Sequence, residues 1–188
     1  MVVSIFDQYA ADYDHWFDVH PEIYTTQLSR VRSVLPGQGR GLEVGVGSGR
    51  FAAGLGIRHG IDPSLPLITM ARRREIEAVI GVGESLPYQA GTFDYILMIT
   101  VICFMDDFAR AFKEAFRVIR PGGTLIVAFM EKDSEIARRE RKKESAGRFL
   151  QHAAFQSTND VTTALAAAGF SAAVENFHGF CIVTAQKA

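Results

Sequence analysis

The sequence predicts an α/β fold in which a mostly parallel sheet is covered by helices on both faces. Short runs that are apolar throughout alternate with longer amphipathic segments, and fully apolar strands are typical of parallel sheets buried on both faces. The first of these runs, Gly41–Val46, continues into a turn of alternate glycines. Such a turn is typical of the first connection in an open parallel sheet.

The composition predicts one domain, residues 1–188, and excludes several classes of protein. Of the 188 residues, 48% are hydrophobic and 22% charged, which suffices for a core without disulfides. The 20 basic and 21 acidic residues nearly cancel, so no overall field attracts nucleic acid or an anionic membrane. Two cysteines, Cys103 and Cys181, cannot form a disulfide framework, and the five histidines lack metal-ligand spacing, so we expect no metal.

No segment predicts insertion into a membrane. The start of the chain has no basic region and reaches Asp7 at once, unlike a signal peptide. The longest apolar stretch, Tyr95–Met105, is too short to cross a bilayer as a helix. We therefore expect a cytoplasmic protein.

The first element along the chain is predicted as one helix with an aromatic side. Its large side chains recur at steps of three and four residues: Phe6, Tyr9, Tyr13, Trp16, Phe17 and His20. This side either packs on the sheet or lies over the mouth of a binding crevice. In the second interpretation, residues 1–35 form a helical lid and residues 40–188 form the cofactor-binding core.

The remaining elements alternate as an α/β fold requires. The predicted strands are Gly41–Val46, Ile57–Ile61, Ile76–Val82, Phe93–Ile99, Thr124–Phe129, Phe170–Phe177 and Gly179–Ala185. The predicted helices are a short one in the Arg50–Arg58 crossover, Ser64–Arg74, Asp106–Ile119, a charged segment from Met130 to about Gln151, and Val161–Ala168.

Local signals mark where two of these helices begin and end. Asp106 or Asp107 is expected to cap the first of them, and Pro121-Gly122-Gly123 to end it with a turn. The run Ser157-Thr158-Asn159-Asp160 predicts the start of the second, and Gly169 its end.

The most informative motif is the turn that contains Gly45, Gly47 and Gly49. Read from Gly45 it is G-x-G-x-G, and read from Gly47 it is G-x-G-x-x-A through Ala52, which a nicotinamide or flavin site tolerates. Glu43 decides between ligands, because a carboxylate inside an apolar strand is costly unless it meets a cation or several donors. It would repel a pyrophosphate and attract an ammonium group.

Two other glycine-loop chemistries are excluded by the residues that are missing. No Lys-Ser/Thr pair follows the glycines, so the turn is not a P-loop. Val46 and Arg50 replace the glycines that a nucleophile elbow needs around Ser48. Asp62, at the end of the next strand, either accepts hydrogen bonds from ribose hydroxyls or caps the helix that follows.

These motifs together resemble the class I S-adenosylmethionine-dependent methyltransferases, in particular the small type-11 group. The similar segments cover nearly the whole chain: Leu42–Gly49, Gly60–Ser64, Gly83–Tyr88, Gly91–Tyr95, Arg117–Gly123 and Ala167–Phe170. The resemblance implies a Rossmann-like fold with a seven-stranded sheet whose last strand is antiparallel. It also implies S-adenosylmethionine as the cofactor, bound above the glycine turn.

The resemblance also implies a role for each matching residue. Glu43 and the backbone of Gly45, Val46 and Gly47 would hold the aminocarboxypropyl end of the cofactor. Asp62 would bind the ribose and Pro63 would lie beside the adenine. Further contacts along the cofactor would come from Gly83, Glu84, Ser85, Ile99 and Thr100.

The acceptor is expected to be a small molecule. The chain lacks the Asn/Asp-Pro-Pro-Tyr/Phe run of nucleic-acid amino methyltransferases, and Cys103 follows isoleucine instead of the proline of cytosine-C5 enzymes. The candidate pocket walls are Tyr9, Tyr13, Trp16, His20, Thr100, Cys103, Phe104 and Met130. Tyr13 or His20 is the candidate general base. A non-catalytic cofactor-binding domain is the alternative, and an NAD(P)-type oxidoreductase is the third possibility.

Overall fold

The structure, a computed structural model, describes residues 3–135, 137–138 and 148–188. The strands are β1 (Gly41–Val44), β2 (His59–Asp62), β3 (Glu77–Ile80), β4 (Phe93–Ile99), β5 (Ile119–Met130), β6 (Phe170–Phe177) and β7 (Phe180–Lys187). The helices are α1 (Val3–Gln8), α2 (Ala10–Val19), α3 (Pro21–Val34), α4 (Arg50–Leu55), α5 (Leu65–Arg73), α6 (Phe108–Val118) and α7 (Thr158–Ala168).

The strands form a seven-stranded sheet of order β3-β2-β1-β4-β5-β7-β6. Strands β1 to β5 pair in parallel, and β7 runs antiparallel to both of its neighbours. This confirms the predicted mostly parallel sheet with an antiparallel last strand. Because β1 lies between β2 and β4, its carboxyl end is where the chain order of the strands reverses. Ligands bind at this point in open α/β sheets.

Apolar side chains fill both sides of the sheet. Helices α6 and α7 cover one face, where Phe112 and Leu165 are buried with Leu42 and other strand residues. Helices α3, α4 and α5 cover the other face, where Val31, Phe51 and Ile68 are buried with Leu97 and Ile99. Strands between two helical layers must be apolar on both sides, which is why these strands read as continuous apolar runs.

Capping residues place the starts of two helices, and the end of one of them, where the sequence predicted them. The Asp107 side chain accepts a hydrogen bond of 2.9 Å from the Arg110 N–H at the start of α6. Ser157 and Asp160 form a reciprocal capping box at the start of α7. The helix ends at Gly169, which has a φ of 102°. Both cap predictions are confirmed.

The N-terminal residues form separate helices, so the prediction of one helix was wrong. Tyr9, with a φ of −122° and a ψ of 32°, separates α1 from α2. The bend brings the rings of Phe6 and Tyr13 to 5.0 and 5.6 Å from that of Phe149, respectively. Pro21 then starts α3, because its fixed φ suits the first position of a helix.

The Pro121-Gly122-Gly123 segment lies within β5 and does not end the preceding helix with a turn, as predicted. Helix α6 ends at Val118, and Ile119 already pairs with Phe93. The next paired residue of β5 is Thr124, opposite Tyr95, so the intervening residues bulge out of the ladder. Proline has no N–H to donate to a neighbouring strand, which makes a bulge its natural place in a sheet.

Two further differences concern element boundaries and coverage. Strands β2 and β3 begin later than predicted, at His59 and Glu77. The predicted charged helix up to Gln151 falls largely on residue 136 and residues 139–147, which lie outside the described residues; Leu150–His152 form a 3-10 turn. Within the described residues, no helix is long and apolar enough to cross a bilayer.

Candidate functional site

The glycine turn follows β1 at the carboxyl edge of the sheet. Gly45, Gly47 and Gly49 all have positive φ, of 73°, 52° and 84°, which side chains other than glycine rarely adopt. A Cβ on Gly45 would also lie 2.2 Å from a methyl carbon of Val101. The Gly45 N–H donates to the Ile61 carbonyl oxygen at 2.8 Å, which anchors the turn on β2. The turn is therefore rigidly placed; Gly45 is half-buried, and Val46 to Gly49 are buried.

Asp62 ends β2 and holds this turn with its side chain. Its Oδ2 accepts a hydrogen bond of 2.9 Å from the Gly47 N–H, and its Oδ1 accepts one of 2.9 Å from the Ser64 N–H. Burial raises the pKa of Asp62, and these two hydrogen bonds act against that rise. The N-cap of α5 is Ser64, so the interpretation of Asp62 as the helix cap was wrong. Each carboxylate oxygen keeps a second lone pair for a ligand.

Glu43 is a buried carboxylate with an unsatisfied oxygen. It is the third residue of β1, only 2% of its surface is exposed, and its Oε2 has no hydrogen-bond partner among the described residues. Burial raises the pKa of Glu43 well above its ordinary value, although a hydrogen bond from the Ala52 backbone acts in the opposite direction. A buried polar atom left unpaired is costly, so this oxygen is suited to a ligand that supplies a donor or a cation.

A cavity of about 10 Å³ lies beside the Glu43 carboxylate. This is close to the minimum volume that holds one water molecule. Its lining is Tyr13, Phe17, Glu43, Gly45, Val46, Ser48, Arg50, Phe51, Ile99 and Thr100. The fold thus brings together Tyr13 and five of the predicted cofactor-binding residues. Thr100 has a φ of 50°, and such strained backbone is often found at functional sites.

Tyr13 lies directly over the glycine turn. A Cβ built on Gly47 would be 3.1 Å from the Tyr13 hydroxyl oxygen, so the ring of α2 occupies the space that glycine leaves open. Burial, followed by the negative charges of Asp62 and Glu43, raises the pKa of Tyr13. The hydroxyl therefore keeps its proton and is available as a hydrogen-bond donor.

The other predicted cofactor contacts follow the same edge of the sheet but lie outside this cavity. Pro63 is half-buried next to Asp62. Gly83 is buried, and a Cβ on it would lie 2.9 Å from the Met105 methyl carbon. The Glu84 carboxylate accepts a hydrogen bond of 3.4 Å from the Asp107 N–H at the start of α6. Ser85 is exposed.

The candidate acceptor residues divide into two groups. The rings of Tyr13 and Phe104 each pack edge-on against Phe6, at 5.5 and 5.2 Å, and Phe149 stacks on the same ring. Cys103 is buried below them, and its Sγ donates to the Thr100 carbonyl oxygen at 3.4 Å. Burial raises the pKa of the Cys103 thiol to about 12, which keeps it protonated.

Trp16, His20 and Tyr9 lie apart from the cavity. Trp16 is 38% exposed and stacks on the His20 ring at 4.6 Å. The His20 Nδ1 lies 3.0 Å from the Trp16 carbonyl oxygen at the end of α2. The Arg148 guanidinium lies over the Tyr9 ring at 3.7 Å. Met130 is half-buried at the end of β5.

Several residues at the site carried no signal in the sequence. Phe149 belongs to no motif, and its ring joins the aromatic cluster only through the tertiary structure. Asp14 and Arg74 lie 60 residues apart and meet in an ion pair of 2.9 Å. Arg50 is different, because its position directly after the glycine motif is a sequence signal that places it near the site. No group of three or more His, Cys, Asp or Glu side chains that could hold a metal occurs within the described residues.

Comparisons with known proteins agree with this geometry. Residues 42–127 match the family described as a methyltransferase domain. An uncharacterised protein of Methanocaldococcus jannaschii is 36% identical over 168 residues, which are 89% of this chain and 82% of that protein. The demethylmenaquinone methyltransferase of Renibacterium salmoninarum is 30% identical over 138 residues, which are 68% of this chain and 57% of that protein.

A solved structure is similar over almost the full length. It is an S-adenosylmethionine-dependent methyltransferase of Thermotoga maritima, described as a possible histamine N-methyltransferase, with 33% identity and a TM-score of 0.92. The match covers 98% of this chain and 99% of that one. The chain therefore belongs to the class I S-adenosylmethionine-dependent methyltransferases, and the protein is an enzyme of methyl transfer.

Proposed function

We propose that the enzyme binds S-adenosylmethionine with its amino-acid end at Glu43 and the glycine turn, and methylates a small-molecule acceptor. The observation that carries this proposal is the buried Oε2 of Glu43, which has no hydrogen-bond partner in the part of the chain that the structure describes and lies beside a turn of three positive-φ glycines. An ammonium group placed there would supply both the hydrogen bond and the positive charge that the carboxylate lacks.

The residues present fit the cofactor along its length. In this proposal Gly45, Val46 and Gly47 lie against the aminocarboxypropyl end, where glycine allows a close approach, while their N–H groups stay bonded to Ile61 and Asp62. The protonated Tyr13 hydroxyl would donate to the carboxylate of that end. Asp62 keeps lone pairs for the ribose hydroxyls after it has accepted the Gly47 and Ser64 N–H groups. In this proposal Pro63, Gly83, Glu84 and Ser85 follow the adenosine, and Ile99 and Thr100 contact the methionine moiety.

S-adenosylmethionine supplies a methyl group on a sulfonium sulfur, which an acceptor atom takes by in-line displacement. The protein has to place the two reactants, and correct placement is worth about 7–11 kcal/mol of a barrier. The high pKa of Tyr13 favours a hydrogen-bond donor over a general base at that position. The protonated thiol of Cys103 likewise favours packing over nucleophilic attack.

The acceptor is proposed as a small molecule that enters between α1–α2 and the turn after β4. The aromatic cluster of Phe6, Tyr13, Phe104 and Phe149 lies on that side. The names of the two relatives differ: the Thermotoga protein is described as a possible histamine N-methyltransferase, and the Renibacterium protein as a demethylmenaquinone methyltransferase. Similarity to them therefore does not select an acceptor.

Calorimetry with S-adenosylhomocysteine tests this placement. Glu43→Gln keeps the shape of the side chain but removes its charge, so we expect affinity to fall at least about tenfold, or 1.4 kcal/mol. Glu22→Gln, an exposed position on α3, is the matched control and should bind like wild type. NAD should give no binding heat. Unchanged affinity in Glu43→Gln, or tight NAD binding, would contradict the proposal.

A further inference from the structure

Asp14 of α2 is the centre of an ion-pair network that fastens the helix to the glycine turn. The Arg50 Nε donates to Asp14 Oδ1 at 2.9 Å, and Arg50 Nη2 donates to Oδ2 at 3.0 Å. Arg74 Nη2 donates to the same Oδ2 at 2.9 Å, while its Nη1 donates to the Ser48 carbonyl oxygen at 2.9 Å. Two arginines from the cofactor side of the fold thus share one carboxylate from α2.

This network is more buried than a surface ion pair. The side chains of Asp14 and Arg50 are 19% and 20% exposed, and Arg74 is 28% exposed. Partial burial would by itself raise the pKa of Asp14, but hydrogen bonds from Arg50, Ser48 and Arg74 lower it well below its usual range. The bidentate geometry adds specificity and strength to the Arg50–Asp14 pair, and Arg74 adds a single hydrogen bond to the same carboxylate. Asp18, one turn further along α2, also accepts two hydrogen bonds from Arg50.

The network acts on the same segment that closes the site. Tyr13 precedes Asp14 in sequence and covers Gly47, while Phe17 on the next turn is buried against Phe51 of α4. With α2 in this position, the cavity at Glu43 has a volume of only about 10 Å³. An aminocarboxypropyl group is much larger than one water molecule, so the side chains that line the cavity have to turn aside to hold it, and α2 has to shift before it can enter or leave.

We propose that Asp14 is a positioning residue that latches α2 over the cofactor through Arg50 and Arg74. This inference rests on the proposed cofactor site and describes how that site opens and closes. Breaking the latch raises the population of the open state. A ligand that leaves only from the open state then dissociates faster, and its apparent affinity falls with the fraction of closed protein.

The test measures ligand dissociation from the full-length protein. Protein loaded with tritiated S-adenosylmethionine is chased with excess unlabelled S-adenosylhomocysteine, and the bound label is followed with time. Asp14→Asn should dissociate at least tenfold faster than wild type, and Asp14→Glu, which keeps the charge, should recover most of the slow rate. Asp12→Asn is the matched control, because Asp12 is on the same helix but pairs with the exposed Arg148. It should stay within twofold of wild type.

Trp16 gives a spectroscopic signature of the same motion. It is the single tryptophan of the chain and lies on α2, two residues after Asp14. Acrylamide should quench its fluorescence more in Asp14→Asn than in wild type when ligand is bound. A purely structural ion pair would lower the thermal midpoint without changing the dissociation rate.

The outcomes separate the latch from the cofactor proposal. If wild type retains no label, the proposed cofactor site fails. If wild type retains label and Asp14→Asn releases it within twofold of the wild-type rate, the latch is wrong and the site stands. Should Asp14→Asn not fold, Arg74→Gln replaces it, since that change leaves the Arg50–Asp14 pair in place. It should accelerate release by a smaller factor, and an unchanged rate would overturn the latch.

Discussion

The two ends of β1 carry the same glycine spacing but differ in what surrounds it. Gly37 and Gly39 precede the strand and Gly41 begins it, whereas Gly45, Gly47 and Gly49 follow it. At the amino end, a Cβ added to Gly37 would have no atom within 4 Å, and Gly41 lies under the ring of Tyr95. At the carboxyl end, all three glycines have positive φ.

The larger cavity lies at the amino end. It measures about 150 Å³, against about 10 Å³ beside Glu43. Its lining is Gly39, Arg40, Gly41, Gly56, Ile57, Arg58, His59 and Tyr95. Among the described residues, however, the buried side-chain atom without a hydrogen-bond partner is at the carboxyl end, on Glu43. An unpaired buried polar atom therefore supports the placement of the proposed site at the carboxyl end more strongly than cavity volume supports the amino end, because such an atom is costly without a ligand.

Each end also uses an aspartate to hold its glycine segment. Asp62 accepts a hydrogen bond from the Gly47 N–H at the carboxyl end. Asp94 accepts one from the Arg40 N–H at the amino end and pairs with Arg120 at 2.6 Å. The two ends thus offer matched substitutions, one at the proposed ligand site and one away from it.

The largest expected effect comes from a glycine substitution at the two ends. Gly47→Val should abolish S-adenosylhomocysteine binding, a loss of at least about 100-fold or nearly 3 kcal/mol. Valine resists a φ of 52°, and its Cβ would lie 3.1 Å from the Tyr13 hydroxyl. Gly37→Val is the control and should bind normally. Calorimetry on both folded variants makes the comparison, and equal affinities would place the ligand elsewhere.

A smaller effect is expected from the two aspartates. Asp62→Asn replaces one acceptor oxygen with a donor that faces an N–H group, so it should destabilise the turn and lower affinity about tenfold. Asp94→Asn should lower the thermal midpoint about as much as Asp62→Asn does, but it should leave the affinity unchanged. Thermal unfolding and S-adenosylhomocysteine titration of both variants test this. A parallel loss of affinity in Asp94→Asn would show that general loosening, not the ligand site, explains the effect.

The smallest effect is a pH dependence from Glu43. Since burial raises its pKa in the folded state, the folded protein holds this proton at pH values where the unfolded chain has released it. The stability of wild type relative to Glu43→Gln should therefore be highest below the ordinary glutamate pKa and fall as pH rises through the raised value. Urea unfolding of both proteins between pH 4 and pH 8 measures the difference. A constant difference across that range would contradict the shift.

Ligand binding should reverse this protonation. An ammonium group at Glu43 favours the carboxylate, so binding should release a fraction of a proton to the buffer. Calorimetry in buffers of different ionisation enthalpy detects that release, which should be absent in Glu43→Gln and retained in Glu77→Gln, an exposed carboxylate at the amino end of β3. A binding enthalpy that does not depend on the buffer would show that no ammonium group binds beside Glu43.

The sequence by itself determined the fold class, the strand count and where two helices begin, at Asp106 or Asp107 and within Ser157–Asp160; the structure selects Asp107 and Ser157 as the caps. Parallel strands buried on both faces must be apolar throughout, and capping depends on residues within three or four positions. The sequence also singled out Glu43, because a charge inside an apolar strand is costly wherever the strand lies. These signals depend on residues that are close in the chain, so they can be recognised without the tertiary structure.

Only the tertiary structure decided how the site is closed. Asp14, Arg50 and Arg74 are ordinary charged residues in the sequence, and their ion pairs exist because α2 lies across the glycine turn. The same contact places Tyr13 over Gly47, whereas His20, an equal candidate by helical spacing, stacks on Trp16 outside the cavity. Periodicity fixes which side of a helix is apolar. The partner that this side meets depends on contacts between residues far apart in the chain.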